Sequence, residues 1–394
     1  MVDAPTDGAR RVAAFTGTRA EYGLLRPTLR RIEDDPDLRL DLLVSGAHLS
    51  PHHGHTVDRV REDGYRSVVE IESLLCSHTR VGATKSVGLG IVCLADALAR
   101  LAPDVMIVLG DRYESFAAAT AAFLLGVPVA HVHGGEITVG AIDDALRHAT
   151  TKLASLHLTS TETHRRRVIQ MGEPPESVLN VGAPGLEGLA DARWPDRAEV
   201  LRRLSLPESA RYVLVCFHPV THDPDGGEAE LEALLDALGA LDDHRLVFST
   251  SNADPGHARI GSRIERFLAA VPERAVRLDS RGRDDFLSVL LCANLMIGNS
   301  SSGILEAPEL RVPTIDVGAR QRGREAGPSV RRVEGDAGRL ADAMRRTLED
   351  PPRDFANPYA STDCSARIVE AVRTVRPEAA KRFFDVPLPE DLVR

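Results

Sequence analysis

Short apolar runs alternating with helix-like segments predict an α/β protein of two Rossmann-like, doubly wound domains facing a cleft. The runs fall at residues 11–16, 40–44, 105–109, 127–133 and 155–159, then at 211–217, 245–250, 275–278, 294–297 and 312–317. With helical segments between them, they form the pattern of repeated βαβ units on a parallel sheet. Between the two groups lies GAPGLEGLADARWPDRAEV, rich in Gly, Pro and charge, which has the composition of an interdomain connection. The chain of 394 residues, with 43% hydrophobic and 27% charged content, is long enough to bury two cores. The expected division is a first domain over 1–185 and a second over 186–370. A tail over 371–394, containing KRFFDVPLPEDLVR, is expected to pack back on the first domain.

Composition narrows the function classes. A net charge of −10, with no large Lys/Arg block, argues against a nucleic-acid surface. The basic cluster His164–Arg167 reads as a solvated helix face. The longest apolar stretches are broken by charge or glycine before a membrane span is reached, and MVDAPTDGARR lacks an apolar signal core. The expectation is a cytoplasmic protein with no membrane partner. The five cysteines, Cys76, Cys93, Cys216, Cys292 and Cys364, are scattered without a C-x-x-C pair, so neither a disulfide framework nor a zinc site is expected.

Taken in chain order, the strand ends carry the chemistry. The first strand runs into Gly17-Thr18-Arg19 ahead of a helix; free amides beside an Arg suit an anion, although a plain strand–helix turn reads equally well. The quartet His48, His52, His53 and His55 has the Pro and Gly punctuation of a loop. The uninterrupted run 105–109 reads as a strand buried on both faces, which sets Asp111 and Arg112 at its carboxyl end, where open α/β sheets bind ligands. His131 and His133 alternate on a strand end, and Gly134-Gly135 let the backbone approach a ligand before Glu136. No metal is expected there, because a second compact ligand pair is lacking. Asp143 and Asp144 precede Arg147 and His148 by four residues. That spacing fits two helical ion pairs, or an acidic crowd with Asp111 and Glu136 in which like charges raise one carboxyl toward the range of a base.

The second half follows the same logic. His218 ends one strand, where it is either a satisfied loop histidine or a group facing the serine loop. The next strand runs toward Asn252 and Asp254. In GNSSSGILE, the hydroxyls of Ser300, Ser301 and Ser302 lie beside the unpaired amides of a helix expected to begin near Gly303. They suit a diphosphate, though one of them would suffice as a cap. Glu306, one turn into that helix, fits a ribose diol or the helix dipole. Of Arg320, Arg322 and Arg324, one is expected to meet the anion.

These residues together carry a resemblance. GTRAEYGLL, SGAHLS, GDRYES, HGGEITVGAIDDALRHATTKLASLH, HPVT and GNSSSGILE followed by RQRGRE resemble the hydrolysing UDP-N-acetylglucosamine 2-epimerases of the sialic-acid pathway, over residues 10 to 370. The resemblance implies a fold of glycosyltransferase B type, with UDP held by the second domain and the sugar in the interdomain cleft. It implies anti elimination of UDP to 2-acetamidoglucal, followed by hydration to N-acetylmannosamine. No metal or nicotinamide cofactor is implied. Arg19, Arg112, His218, Asn252, Ser301, Ser302, Glu306 and Arg320 match nucleotide and diphosphate contacts, whereas Asp111, Glu136, Asp143 and Asp144, with Arg147 nearby, match the catalytic cluster. Arg112 is the nearest candidate counterion for Asp111. The chain departs from many relatives at His133, where they carry a Glu; His133 or Glu136 then takes the acid–base role. The H-x-H-G-G-E form also resembles relatives that act on UDP- or GDP-linked 2,4-diacetamido sugars on the way to legionaminic-type acids. The family implies homodimers or homotetramers. A glycosyltransferase using the same cleft, and a binding protein without catalysis, are the competing readings.

Overall fold

A computed structural model describes residues 8–51, 54–75, 77, 79–138, 142–220, 225–249, 257–278, 282–375 and 381–387. The chain forms two compact units: one from the residues up to Glu136, Ile142–Glu187 and Ser361 onward, the other from Gly188–Ala360 together with Ile137 and Thr138. The first runs β1 (Arg10–Thr16), α1 (Arg19–Glu33), β2 (Leu38–Ser45), α2 (Val57–Glu62), β3 (Val68–Ile71), α3 (Arg80–Leu101), β4 (Val105–Leu109), α4 (Tyr113–Leu124), β5 (Val129–Val132), α5 (Ile142–Leu153), β6 (Leu156–Thr159), α6 (Glu162–Gln170) and β7 (Val178–Asn180). The second runs α7 (Arg197–Arg203), β8 (Tyr212–Cys216), α8 (Glu228–Gly239), β9 (Arg245–Ser249), α9 (His257–Ala270), β10 (Ala275–Leu278), α10 (Arg283–Leu291), β11 (Leu295–Gly298), α11 (Glu306–Glu309), β12 (Thr314–Val317), β13 (Val330–Val333) and α12 (Ala337–Glu349). The chain then adds α13 (Cys364–Thr374) to the first unit.

Both sheets are parallel throughout, in the orders β3-β2-β1-β4-β5-β6-β7 and β10-β9-β8-β11-β12-β13. The strand order reverses between β1 and β4 in one sheet and between β8 and β11 in the other, the two places where such sheets open a crevice at their carboxyl ends.

Alternation of side chains explains why the central strands are largely apolar on both faces. In β1, Val12 and Ala14 face a core shared with Leu25, Leu29 and Ile32 of α1, whereas Ala13 and Phe15 face Leu94 and Leu98 of α3 and Ala118 and Ala122 of α4. α3 approaches α4 closely because both are rich in small residues; a Cβ on Gly90 would stand 3.3 Å from that of Ala117. α3 has the length and overall hydropathy of a membrane-crossing helix, but Lys85, Asp96 and its glycines interrupt its apolar runs. Its Gly, Ala and Ser content lets one face, including Gly82, Ser86, Gly90 and Leu94, bury itself as a core helix does.

The boundary at 370 needs correction. The chain rejoins the first unit at Ser361, because Ile368, Val369 and Val372 of α13 complete the apolar core beneath α1. Arg31 Nε donates to Ser365 Oγ at 3.1 Å, and the Ser365 N–H donates to Glu187 at 2.6 Å.

Candidate active site

At the carboxyl edge of the first sheet, β4 is buried along its whole length and Gly110 turns the chain at φ 80°, which delivers Asp111 and Arg112 ahead of α4. Arg147, 3% exposed on α5, forms an ion pair with Asp111. The expectation that neighbouring Arg112 serves as that counterion is therefore corrected. Arg112 is the N-cap residue of α4, and its Nε reaches Glu114 Oε2 at 3.2 Å. Asp143 and Asp144 occupy the first turn of α5. Burial, and after it the charge of Asp111, raises the Asp143 carboxyl above the ordinary aspartate range. Of the two helical ion pairs considered, the Asp144–His148 contact forms at 3.7 Å, while Arg147 is drawn to Asp111.

After β5 the backbone turns at His133, which takes a left-handed φ of 65° although it is not glycine. Such a conformation costs on the order of 1–3 kcal/mol and persists where neighbours over-determine it. Here the His133 N–H donates to Leu158 O at 3.0 Å, and Nδ1 lies 2.7 Å from Glu136 Oε1. Ser160 Oγ donates to the same carboxylate oxygen at 2.8 Å. His133 Nε2 is buried without a hydrogen-bond partner among the described residues. His131 has no such freedom. Its Nε2 lies 2.7 Å from Gly110 O, which can only accept, so Nε2 carries the proton and Nδ1 accepts from Thr151 Oγ1 at 3.1 Å. Burial holds the His131 pKa down to about 3.

Of the two readings of Gly17-Thr18-Arg19, the backbone amides follow the plain strand–helix turn. The amides of Gly17 and Thr18 are occupied by Glu21 Oε2, at 2.8 and 3.0 Å, in a capping box with the Thr18 side chain. Ser115 Oγ donates to the other Glu21 oxygen at 2.9 Å. Burial, with the charge of Glu114 adding to it, pushes the Glu21 pKa up to about 7. Arg19 remains exposed beside this box.

In the second unit, β8 and β11 deliver His218 and the serine loop to the other switch point. Asn299, fully buried, clamps the backbone of His218: Oδ1 accepts the His218 N–H at 2.7 Å and Nδ2 donates to His218 O at 2.8 Å. Asn299 O in turn accepts from Arg320 Nη1 at 3.0 Å and from Gln321 Nε2 at 2.9 Å. Burial, then the charge of Arg320, lowers the His218 pKa to about 4, so the ring is neutral near pH 7. The helix expected from Gly303 is divided. Ser300 caps a 3-10 turn over Ser301–Gly303, and Glu306 opens a separate helix, α11, whose Pro308 has no N–H to continue the turn above it. Ser301 and Ser302 are half-buried, and Glu306 Oε1 lies 3.5 Å from an Nη of Arg283. Asn252, Asp254, His52 and His53 lie outside the described residues. Among the described residues no group of three or more His, Cys, Asp or Glu is placed to hold a metal ion.

The family model for UDP-N-acetylglucosamine 2-epimerase matches residues 30–373. The chain belongs to that family. Among epimerase-family relatives, it is 34% identical over 389 residues to polysialic acid biosynthesis protein P7 of Escherichia coli, covering 96% of this chain and 98% of that protein. It is 33% identical over 315 residues to the GDP/UDP-N,N'-diacetylbacillosamine 2-epimerase (hydrolyzing) of Campylobacter jejuni, covering 80% and 82%. The solved structure of UDP-GlcNAc 2-epimerase from Neisseria meningitidis bound to UDP-GlcNAc matches with a TM-score of 0.77 at 18% identity, over 93% of this chain and 100% of that one. That likeness is one of fold: two parallel-sheet α/β domains, as the strand pattern predicts, of the glycosyltransferase B type that the resemblance implies.

Glu21, Glu114 and Asn299 shape these loops without having been expected from the sequence to do so. Glu21 had a readable signal, since Thr18-x-x-Glu21 is a capping-box spacing ahead of an apolar-periodic segment. Asn299 had none, because a buried backbone clamp has no local pattern.

Proposed function

We propose that this chain is a hydrolysing 2-epimerase that converts UDP-N-acetylglucosamine to N-acetylmannosamine and UDP, by anti elimination to 2-acetamidoglucal and then hydration. The observation that carries the reading is the cluster on one sheet edge, in which Asp111 is tied to Arg147 and Asp143 has a raised carboxyl, with the His133–Glu136 pair following β5. Elimination needs a carboxylate to take the weakly acidic C2 proton while the C1–O bond breaks, and hydration needs a group to return one. Asp111, His133, Glu136, Asp143 and Asp144 supply those groups, and Arg147 positions Asp111.

Leaving UDP develops charge on a phosphate oxygen, which hydroxyls and guanidinium groups stabilise more than they stabilise bound substrate. Ser300, Ser301, Ser302 and Arg320 are assigned to that charge, neutral His218 to a phosphate or uracil hydrogen bond, and Glu306 to the ribose. Arg19, Arg112 and Asn252 are assigned to the nucleotide on the family pattern. No metal or redox cofactor enters the scheme.

A second reading keeps the chemistry and changes the sugar to a UDP- or GDP-linked 2,4-diacetamido compound. His133 in H-x-H-G-G-E favours it, as does similarity to relatives named as diacetylbacillosamine 2-epimerases in Campylobacter jejuni and, at 30% identity, Legionella pneumophila. Incubation in deuterated water with a panel of UDP- and GDP-linked acetamido sugars, and no acceptor, separates the readings. Free N-acetylmannosamine carrying deuterium at C2 supports the first, a deuterated diacetamido sugar supports the second, and an intact panel removes both.

The proposed enzyme is cytoplasmic, where nucleotide sugars are made, and cell fractionation checks this. It is also proposed to be a homodimer or homotetramer. The outward face of α3 leaves Val81, Leu89 and Val92 exposed, with Leu124 exposed at the end of α4, as an association surface would. A monomer by light scattering at micromolar concentration overturns that.

A further inference from the structure

The helix that carries Asp143, Asp144 and Arg147 is fastened at its far end by a residue from the tail. Lys381 Nζ donates to Thr151 O at 3.2 Å and to Ala154 O, the carbonyls at the carboxyl end of α5. The same ammonium lies 2.7 Å from Glu173 Oε2. Glu173 is 1% exposed and also takes Lys152 Nζ at 2.5 Å and His157 Nε2 at 2.9 Å. Burial opposes ionisation of Glu173, but the hydrogen bonds from His157, Lys152 and Lys381 prevail and hold its pKa down to about 2.

Two more contacts seat the segment. The Phe383 ring lies against Gly172, which has a φ of 85° and where an added Cβ would stand 2.5 Å from the ring. The Phe384 N–H donates to Gly172 O at 3.0 Å. Lys152 Nζ sits 4.9 Å above the Phe383 ring. A tail that merely drifted over the surface would not spend a half-buried ammonium, a ring contact and a backbone hydrogen bond on one place.

A chain of hydrogen bonds runs from the anchored end of α5 to the sheet edge that holds Asp111. Thr151, whose carbonyl meets Lys381, donates its hydroxyl to His131, and His131 donates to Gly110 O, the residue before Asp111. A cation among the last carbonyls of a helix also complements its dipole.

We propose that Lys381 is a positioning residue: the tail segment around it straps the carboxyl end of α5 and thereby sets Asp143, Asp144 and Arg147 against Asp111. The catalytic half of this rests on the reading of the chain as a hydrolysing 2-epimerase, while the strap itself does not. The test compares full-length wild type, Lys381→Met and Lys381→Arg by amide hydrogen exchange over residues 142–153, by kcat and KM on the nucleotide sugar that wild type turns over, and by thermal melting.

In Lys381→Met, exchange in α5 is expected to speed up about tenfold. Its kcat is expected to fall about tenfold, with KM within about twofold, because a small misplacement of catalytic groups costs rate more than binding. Lys381→Arg, which keeps the cation, is expected to recover most of both. Unchanged exchange in Lys381→Met overturns the strap. Faster exchange with unchanged kcat overturns the link to catalysis, and so does a parallel loss of kcat, KM and melting temperature that Lys381→Arg fails to rescue. Lys381→Gln replaces the methionine variant if that does not fold. Wild type inactive on the whole sugar panel marks failure of the functional reading instead, a result that does not depend on any Lys381 variant.

Discussion

Asp111 and Glu21 show how differently two carboxylates that follow neighbouring strands are used. Asp111 is partly open to solvent and tied to Arg147, which makes it available to a substrate. Asp111→Asn keeps the shape but removes the charge and the base, so turnover is expected to fall by at least about 10²-fold with UDP affinity within about threefold. Steady-state kinetics and calorimetric titration with UDP check this, and a large loss of UDP affinity would move Asp111 to nucleotide binding. Glu21 is turned inward and closes its own helix. Its pKa rises from 4.5 to about 7 on folding, so the folded state holds the proton more tightly. The contribution is therefore fully present below pH 4.5 and is lost as pH rises through 7. Glu21→Gln can keep the bonds to Gly17 and Ser115 without titrating, so its stability relative to wild type is expected to grow between pH 4.5 and 7, at up to about 1.4 kcal/mol per pH unit. Urea denaturation at pH 5 and pH 8 reads the difference, and an equal offset at both values contradicts the shift. The positions of Asp111, His133 and the Asp143-Asp144 pair at strand ends and helix starts were legible from the sequence. Their partners were not, because which guanidinium meets which carboxylate depends on distances between segments far apart in the chain.

All ten strands anticipated from apolar runs are present, and the three others among the described residues, β3, β7 and β13, lie at sheet edges. An edge strand is covered less, so Val68–Ile71 and Val330–Val333 alternate with or are flanked by charge and lose the continuous apolar run that marks a central strand. The division of the serine loop into a 3-10 turn and α11 was likewise hidden, because three serines can cap in more than one register. At the second switch point the tight element is Gly298, the last residue of β11. It has a φ of 139°, and an added Cβ would lie 1.9 Å from Cys216 O on the neighbouring strand. Gly298→Ala must part β8 from β11 or move the loop, at an expected cost of about 4 kcal/mol or more. Denaturant midpoints measure it, and a loss below about 1 kcal/mol would mean the strand end relaxes freely.

The first unit is discontinuous in sequence, with the whole of Gly188–Ala360 set between its parts. Deleting 361–394 uncovers the α1 face that Ile368, Val369 and Val372 bury, and each large aliphatic group so exposed forfeits roughly 1.5–3 kcal/mol. The truncated chain is expected to lose the cooperative melt of the first unit while the second, whose core lies within 213–344, keeps its own. Two transitions by calorimetry in the intact chain, reduced to one after truncation, check this; an unchanged profile would show that α13 is dispensable. The same layout bears on how the protein is born. On a ribosome adding roughly 5–20 residues each second, residues 188–360 take on the order of ten to thirty seconds to appear. Through that interval a nascent seven-stranded sheet waits with an apolar flank open until its last helix emerges.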